Sequence, residues 1–401
     1  MSRKSVLVLL FVIILVSLQY PRFQQNEVEA SDGYPVHNLS TGLNYTSIQE
    51  AIDASETLDK HTIFVDAGIY LENLVINKTL SLIGESKENT IVDGKNESHV
   101  VNVTADRVVL KGFTLNNSAP THSGIYLNST NFVNITDNLI EHSTYPMTLD
   151  GSSYNTVSLN QIVDNECGVI VGRLSENNNI VQNEFARDDA EAITVHSQSH
   201  RNYIYNNTIL DCSAAAHIDR SDDNVFSNNM IWNCTVSYMY VIDEMNSRGN
   251  LFEGNVIDSY IRHYEGMSLY NCNQSTIVGN TIMNCQYGIY VADCMDNTFY
   301  HNNLINCSAY VFFFRGPSLG NVWDNGSEGN YWSDYNGTDS NQDGIGDTPY
   351  VIDANNIDRY PLMAQYVILE FPTFLILPLF MIMTLLIVMV YTRRHKISDV
   401  M

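Results

Sequence analysis

Between residues 62 and 329 the chain is a succession of short segments in which apolar and polar positions alternate. The segments are separated by Asn, Asp, Ser or Gly. They are too short for helices and too closely spaced for helical crossovers, so the pattern predicts strands. "GIYL" at Gly124, "PMTL" at Pro146, "GVIV" at Gly168, "AITV" at Ala192, "AHID" at Ala216, "YMYV" at Tyr238, "GMSL" at Gly266, "GIYV" at Gly288 and "YVFF" at Tyr310 follow one another at 22, 22, 24, 24, 22, 28, 22 and 22 residues. Nine copies at nearly one period make a repeat array. A second signature runs in phase: Asn155/Asn160, Asn178/Asn183, Asn202/Asn207, Asn224/Asn229, Asn250/Asn255 and Asn297/Asn302 bracket short apolar pairs. Asparagine tolerates the left-handed conformation, so these positions read as bends. One coil per repeat, each strand stacked on its equivalent in the next coil, gives an all-β fold: a single-stranded, right-handed parallel β-helix. The solenoid is expected from about Thr62, and about eleven coils at ~4.8 Å make a rod on the order of 50 Å.

Open solenoid ends invite edge pairing and need caps. "SIQEAIDASE" from Ser47 places Ile48, Ala51 and Ile52 on one face of a short helix, so 31–61 reads as an N-terminal cap. At the other end "NYWSDY" from Asn330 leaves the period, and Trp332 and Tyr335 are suited to close the last coil, giving a C-terminal cap over 330–366.

The termini read as targeting segments. Arg3 and Lys4 precede the apolar run Ser5 to Leu18, and "VEA" at Val28–Ala30 offers a cleavage site, so 1–30 is expected to be a signal peptide. Phe371 to Tyr391 is uncharged and, at 1.5 Å per residue, reaches about 31 Å, the depth of a bilayer core. With "RRHK" at Arg393–Lys396 behind it, 367–391 is expected to be a single transmembrane helix and 392–401 a cytoplasmic tail. The bulk of the chain then lies outside the cell membrane.

The net charge of -25 argues against nucleic acid and anionic membrane surfaces as partners. Fourteen Asn-x-Ser/Thr sequons, among them Asn44, Asn102, Asn134, Asn233 and Asn336, are about twice what this composition gives by chance and favour a glycoprotein.

The "N-x-I-x-x-N-x-I…GIYV" coils, the opening "TSIQEAID…GIYLENLVINKTLSLIGE" and the tail "GNYWSDYNGTDSNQDGIGDTPYVIDANNIDRYPL" resemble NosD-type right-handed parallel β-helix proteins, part of a wider class of carbohydrate-binding and sugar-hydrolysing β-helices. The resemblance covers roughly Tyr45 to Met363. It implies a fold, and it leaves open which of the lyases, hydrolases, epimerases and plain binders that share the fold this chain follows.

Cysteines follow the same period. Cys212/Cys234, Cys272/Cys294 and Cys285/Cys307 are each 22 apart, one coil, with Cys167 left over. Parallel neighbours point their Cβ atoms the same way, which favours stacked thiols over disulfides. No Cys-x-x-Cys occurs, so the copper association of the NosD name finds no support in these residues.

Counting along the repeat, the outward column of the GIYV strand is Tyr126, Thr148, Ile170, Thr194, Ile218, Tyr240, Ser268, Tyr290 and Phe312. Asp150, His196 and Arg220 stand just past it, then Arg173 and Asp243, while Asp188 and Asp189 sit in a longer coil. The same register points His217 and Asp219 inward, unless it shifts locally. Recurring aromatics suit sugar rings, and carboxylates with an Arg and His suit acid–base work on a polysaccharide. The ligand-binding candidates are therefore Tyr126, His196, Arg220, Tyr240, Asp243 and Tyr290.

"DSNQDGIGD" at Asp339–Asp347 sets side-chain oxygens of Asp339, Asn341, Asp343 and Asp347 around Gly344, with the Ile345 carbonyl at the seventh position. That odd-position spacing suits a structural calcium ion, with Asp353 or Asp358 to complete the shell. The favoured reading is a membrane-anchored extracellular β-helix that binds carbohydrate or scaffolds the cell envelope without catalysis. The alternative is a polysaccharide lyase, glycoside hydrolase or epimerase on the same rod, and a metal-delivery accessory role ranks third.

Overall fold

A computed structural model describes residues 33–234, 240–259, 265–315 and 318–367. The signal segment, the apolar run 371–391 and the basic tail lie outside the described residues, and no described helix is long and apolar enough to cross a membrane.

Three sheets of thirteen, twelve and eleven strands, parallel except for two N-terminal strands of the first, run the length of the molecule, and the chain visits them in turn, one strand each per coil. The first sheet takes in His61–Val65, the second Gly68–Tyr70 and the third Leu74–Ile76, and the cycle repeats to Ala309–Phe314 in the third sheet. Side chains at equivalent inward positions stack directly on one another. In the first sheet Leu110, Ile135, Val157, Ile180, Ile204, Phe226, Phe252, Ile277 and Phe299 form one buried column. Each contributes about 1.5–3 kcal/mol by leaving water. The glycine that opens many third-sheet strands has a steric cause: a Cβ at Gly168 would lie 1.8 Å from the Ala192 carbonyl oxygen, and one at Gly288 2.7 Å from that of Tyr310.

The regular asparagines are not the bending residues. Positive φ falls on the residue before each one: Tyr154 and Leu159, Arg201 and Asn206, Asp296 and His301 all lie between 54° and 60°. The asparagines themselves are buried and form ladders along the rod. In one ladder Asn138, Asn160, Asn183, Asn207, Asn229, Asn255, Asn280, Asn302 and Asn330 follow one another, each Nδ2 donating to the next Oδ1 at 2.9–3.1 Å. Each Oδ1 also accepts from the backbone N–H of the preceding asparagine, for example Asn183 N to Asn207 at 2.9 Å. Nδ2 makes a second bond to a carbonyl such as that of Ile180. One amide accepts at Oδ1 and donates twice from Nδ2 while staying neutral, and it satisfies backbone groups that the left-handed residue has turned out of the sheets.

At the N-terminal end the helix Ile48–Asp53, N-capped by Ser47, buries Ile48, Ala51 and Ile52 over the first coil, and Val36–Asn38 pairs antiparallel with His61–Val65. At the C-terminal end Trp332 stacks on Tyr350 at 4.3 Å. Its indole N–H donates to buried Asp358, which also takes the Asn330 N–H, the last link of the ladder. Burial pushes the Asp358 carboxyl up to about 6 against these hydrogen bonds.

Candidate functional site

The third sheet carries the largest collection of outward-facing chemistry. Its pairing register corrects the counted column: Tyr126, Thr148, Ile170 and Thr194 are followed by His217 and Asp243, then Ser268, Tyr290 and Phe312. Ile218 is inward and 1% exposed, so His217 and Asp219 face out. Tyr240 moves to the start of its strand, opposite Glu265. Asp243 moves into the column, and Arg220 lies one residue beyond the row of His196 and Asp219, in the left-handed region with φ 48°.

Three groups of residues stand along this face. The first lies in an open pocket of about 500 Å³ lined in part by His99, His122, Tyr126, Asp150, Arg173 and His196. Tyr126 stacks on His99 at 4.4 Å, and its hydroxyl donates to Asp150, which also takes Arg173 Nη1 at 2.8 Å. Burial and the Asp150 carboxylate raise the Tyr126 phenol to about 12. His99 accepts the Ser123 N–H at Nδ1, and burial together with His122 lowers it to about 4, so it is neutral. His196 lies 2.6 Å from Ser197 Oγ and is likewise lowered by burial.

The middle group is the densest. His217 Nδ1 donates to Asp243 Oδ2 at 3.0 Å, and Asp243 is only 3% exposed. Burial works against the imidazolium, but the hydrogen bond and charge of Asp243, with Glu191 and Asp219 nearby, outweigh it and raise the His217 pKa. Tyr240 lies over the His217 ring at 6.1 Å and donates to Glu191 at 3.3 Å. Glu265 is raised to about 7, first by burial and then by Asp243, against a hydrogen bond from Ser268. Arg220 pairs with Asp219 at 2.8 Å at the edge of the group.

The third group is aromatic. Tyr290 stacks on Phe312 and Phe314 at 5.5 and 5.9 Å, and Tyr287 on Phe312 at 4.5 Å. All six sequence candidates thus share one face but divide among three groups. Counting missed His99, Glu191, His217 and Glu265.

Behind the middle group an acid points into the core. Glu244 occupies the inward column between Ile218 and Leu269 and is fully buried. A second asparagine ladder runs from Asn155 through Asn178, Asn202 and Asn224 to Asn250, but the next coil supplies Ser275, which is too short to reach. Glu244 Oε1 fills the gap, accepting from Asn250 Nδ2 at 2.8 Å and Ser275 Oγ at 2.7 Å. Its Oε2 has no partner among the described residues, and burial raises the carboxyl to about 7. Asp188 is the same kind of substitution: it faces inward, accepts from Asn165 at 3.0 Å, and is raised well above the carboxylate range by burial. Asp189 lies in a separate open pocket with Arg187 and Asp164.

Among the described residues no cysteine forms a disulfide, and the stacked pairs hydrogen-bond to carbonyls of the wall, as Cys272 Sγ does to Glu244 O at 3.0 Å. In the 339–347 loop the carboxylates bind the loop itself: Asp339 takes the Gly344 N–H at 2.9 Å, Asp343 that of Ile345 at 2.9 Å, and Asp347 takes Ser340 and Thr338. Asp358 belongs to the cap above and not to this loop. Of the sequons, Asn44 and Asn336 are exposed, Asn233 donates to Asp211, and Asn102 and Asn134 lie in strands with a buried carboxamide oxygen.

The model of a family described as periplasmic copper-binding protein (NosD) matches residues 52–262 and 191–337, more than half of the chain. A cell surface glycoprotein of Methanothermus fervidus is 34% identical over 109 residues, 27% of this chain and 18% of that protein. A probable pectinesterase/pectinesterase inhibitor of Arabidopsis thaliana is 29% identical over 141 residues, 28% of this chain and 26% of that one. The chain therefore spans about a quarter or less of these relatives. Among solved structures, a mannuronic acid specific polysaccharide family 6 lyase from human gut microbiota superposes with a TM-score of 0.53 at 14% identity, covering 69% of this chain and 77% of that one. The catalytic domain of a GH87 alpha-1,3-glucanase gives 0.50 at 16%, covering 76% and 65%. At these identities the likeness is one of fold. For the copper named in the family description, no group of three His, Cys, Asp or Glu able to hold a metal occurs among the described residues.

Proposed function

We propose, for a chain that belongs to the NosD family of parallel β-helix proteins, an extracellular role in which the outer face of the third sheet binds a carbohydrate chain laid along the rod. The observation that carries this reading is the platform of Tyr287, Tyr290, Phe312 and Phe314, stacked in register across two adjoining coils and continuous with the polar groups of the same face. Flat faces at a spacing of one coil offer sugar rings apolar contact, and the neighbouring hydroxyls, carboxylates and histidines offer hydrogen bonds. The name of the Methanothermus relative supports a position at the cell surface, and the apolar run 371–391 would supply the anchor. The full-length protein applied to a glycan array should retain a polysaccharide, and Tyr290→Ala should lower its affinity about tenfold, the value of one aromatic contact. Undiminished binding by Tyr290→Ala together with Phe312→Ala overturns the assignment of this face.

A further inference from the structure

The middle group of the third sheet contains two carboxyls in contrasting surroundings. Asp243 is held by the His217 ring at 3.0 Å. Glu265 begins the next strand, where Ser268 pairs with Asp243 across the ladder and also hydrogen-bonds the Glu265 carboxyl. Ser268 thereby touches the surroundings of both acids, its own rung holding Asp243 and its hydroxyl reaching Glu265. Both are largely buried yet face outward, at 3% and 9% exposure, and no part of the core or of the asparagine ladders uses them. Facing them are Tyr240 and Glu191 on the side of the preceding coils, and Tyr287 and Tyr290 on the following strand. A purely structural surface has no use for an acid pair sunk into its outer wall, because burial disfavours ionised carboxylates.

We propose that Asp243 and Glu265 are the base and acid of a centre that hydrolyses a glycosidic bond in a neutral polysaccharide, with His217 as the positioning residue. The inference rests on the glycan-binding reading of this face. In the step, the Glu265 carboxyl passes its proton to the glycosidic oxygen while the C1–O bond breaks and leaves its electron pair there. A water oxygen bonds to C1 and yields its proton to Asp243, whose charge the His217 imidazolium balances. Asp243 then releases that proton to solvent and Glu265 takes one up, so only water is consumed. A neutral substrate follows from the charge of the group: Arg220 and His217 are already paired with Asp219 and Asp243, which leaves neither cation free to hold a uronate, and Glu191 adds a carboxylate beside them.

The test incubates the full-length protein with neutral polysaccharides, among them α- and β-glucans, mannans and xylans, in oxygen-18 water between pH 4 and 8. The expected result is oligosaccharides carrying one label at each new reducing end, at a rate that falls as the pH rises through about 7, where Glu265 loses its proton. Glu265→Gln and Asp243→Asn should each lower the rate at least 100-fold, within the range of general acid–base catalysis, with binding retained. His217→Gln should lower kcat and leave KM unchanged, because the hydrogen bond that orients Asp243 serves the step and not the binding of the polymer; an unchanged kcat, or a KM that moves with it, assigns His217 a merely structural role and overturns its part. Binding without cleavage overturns the hydrolytic centre and leaves the binding face standing. Products without label, or an active Glu265→Gln, also overturn it. Failure to bind any polymer removes both readings.

Discussion

The asparagine-lined wall and the outer face of the third sheet are built on the same period, yet one repeats its residues and the other does not. Along the wall the same amide recurs from Asn138 to Asn330, because every coil must satisfy the same displaced backbone groups. Along the face, equivalent positions run Tyr126, Thr148, Ile170, Thr194, His217, Asp243, Ser268, Tyr290, Phe312. Where the fold dictates the residue the sequence is periodic, and where it dictates only an outward direction the sequence is free to carry chemistry. The two meet at Asn250, where the second asparagine ladder is interrupted and Glu244, adjacent in sequence to Asp243, completes it from inside.

The sharpest way to break this contrast is to treat a ladder rung like a face residue. Asn207→Leu orphans the Asn183 N–H, the Asn183 amide and the Ile180 carbonyl. It should lower the unfolding free energy by about 3–9 kcal/mol in denaturant titration, from about 1–3 for each of the three buried groups left unmet. A cost below about 1 kcal/mol would show that water replaces the amide.

Glu244 tests the splice, with a sign fixed by its environment. Its folded pKa of about 7 lies above the ordinary 4.5, so the folded state holds the proton more tightly. Stability is full below about pH 4.5 and declines as the pH rises to about 7. Glu244→Gln, which cannot ionise, should therefore be more stable than the parent by about 3 kcal/mol at pH 8 and no different at pH 4. A stabilisation that persists at pH 4 would mean that the charge is not its cause.

On the face, Tyr290→Ala should change the unfolding free energy by under about 1.5 kcal/mol, since a half-buried stacked pair is worth about 0.5–1.5. A loss as large as that of Asn207→Leu would erase the distinction between wall and face. The smallest effect concerns the 339–347 loop. Millimolar calcium should raise stability by about 1 kcal/mol, as weak extracellular sites do, and Asp343→Ala should remove the increase. Calorimetry without binding at those concentrations would leave the loop held by its own hydrogen bonds alone.

The solenoid, its period, its inward columns and the helix at Ile48–Asp53 were legible because period-two alternation and burial obey one rule throughout the rod. The register in the middle was not. "AHID" was aligned on Ala216 as the equivalent of Ala192, but the ladder pairs Ala216 with Ile193, and three successive small residues, Ala214 to Ala216, gave the count nothing to hold. In the next coil the equivalent of "GIYV" is Val241–Glu244, disguised by an acid at an inward position. Apolar patterning cannot recognise a carboxylate as core, so Asp243 and His217 were misplaced together. The asparagines were read as left-handed bends because that is their local preference, whereas their burial depends on a neighbour one coil away.

The stacked amides also leave the rod without a preferred length. Each rung hands the next an identical acceptor, so a coil gained or lost as a whole leaves every remaining bond intact, whereas loss of a single residue shifts all that follow out of step. Gene duplication can therefore lengthen or shorten this molecule in increments of about 22 residues at little cost. Such steps would alter the length of the rod while the residues of the third-sheet face stay together.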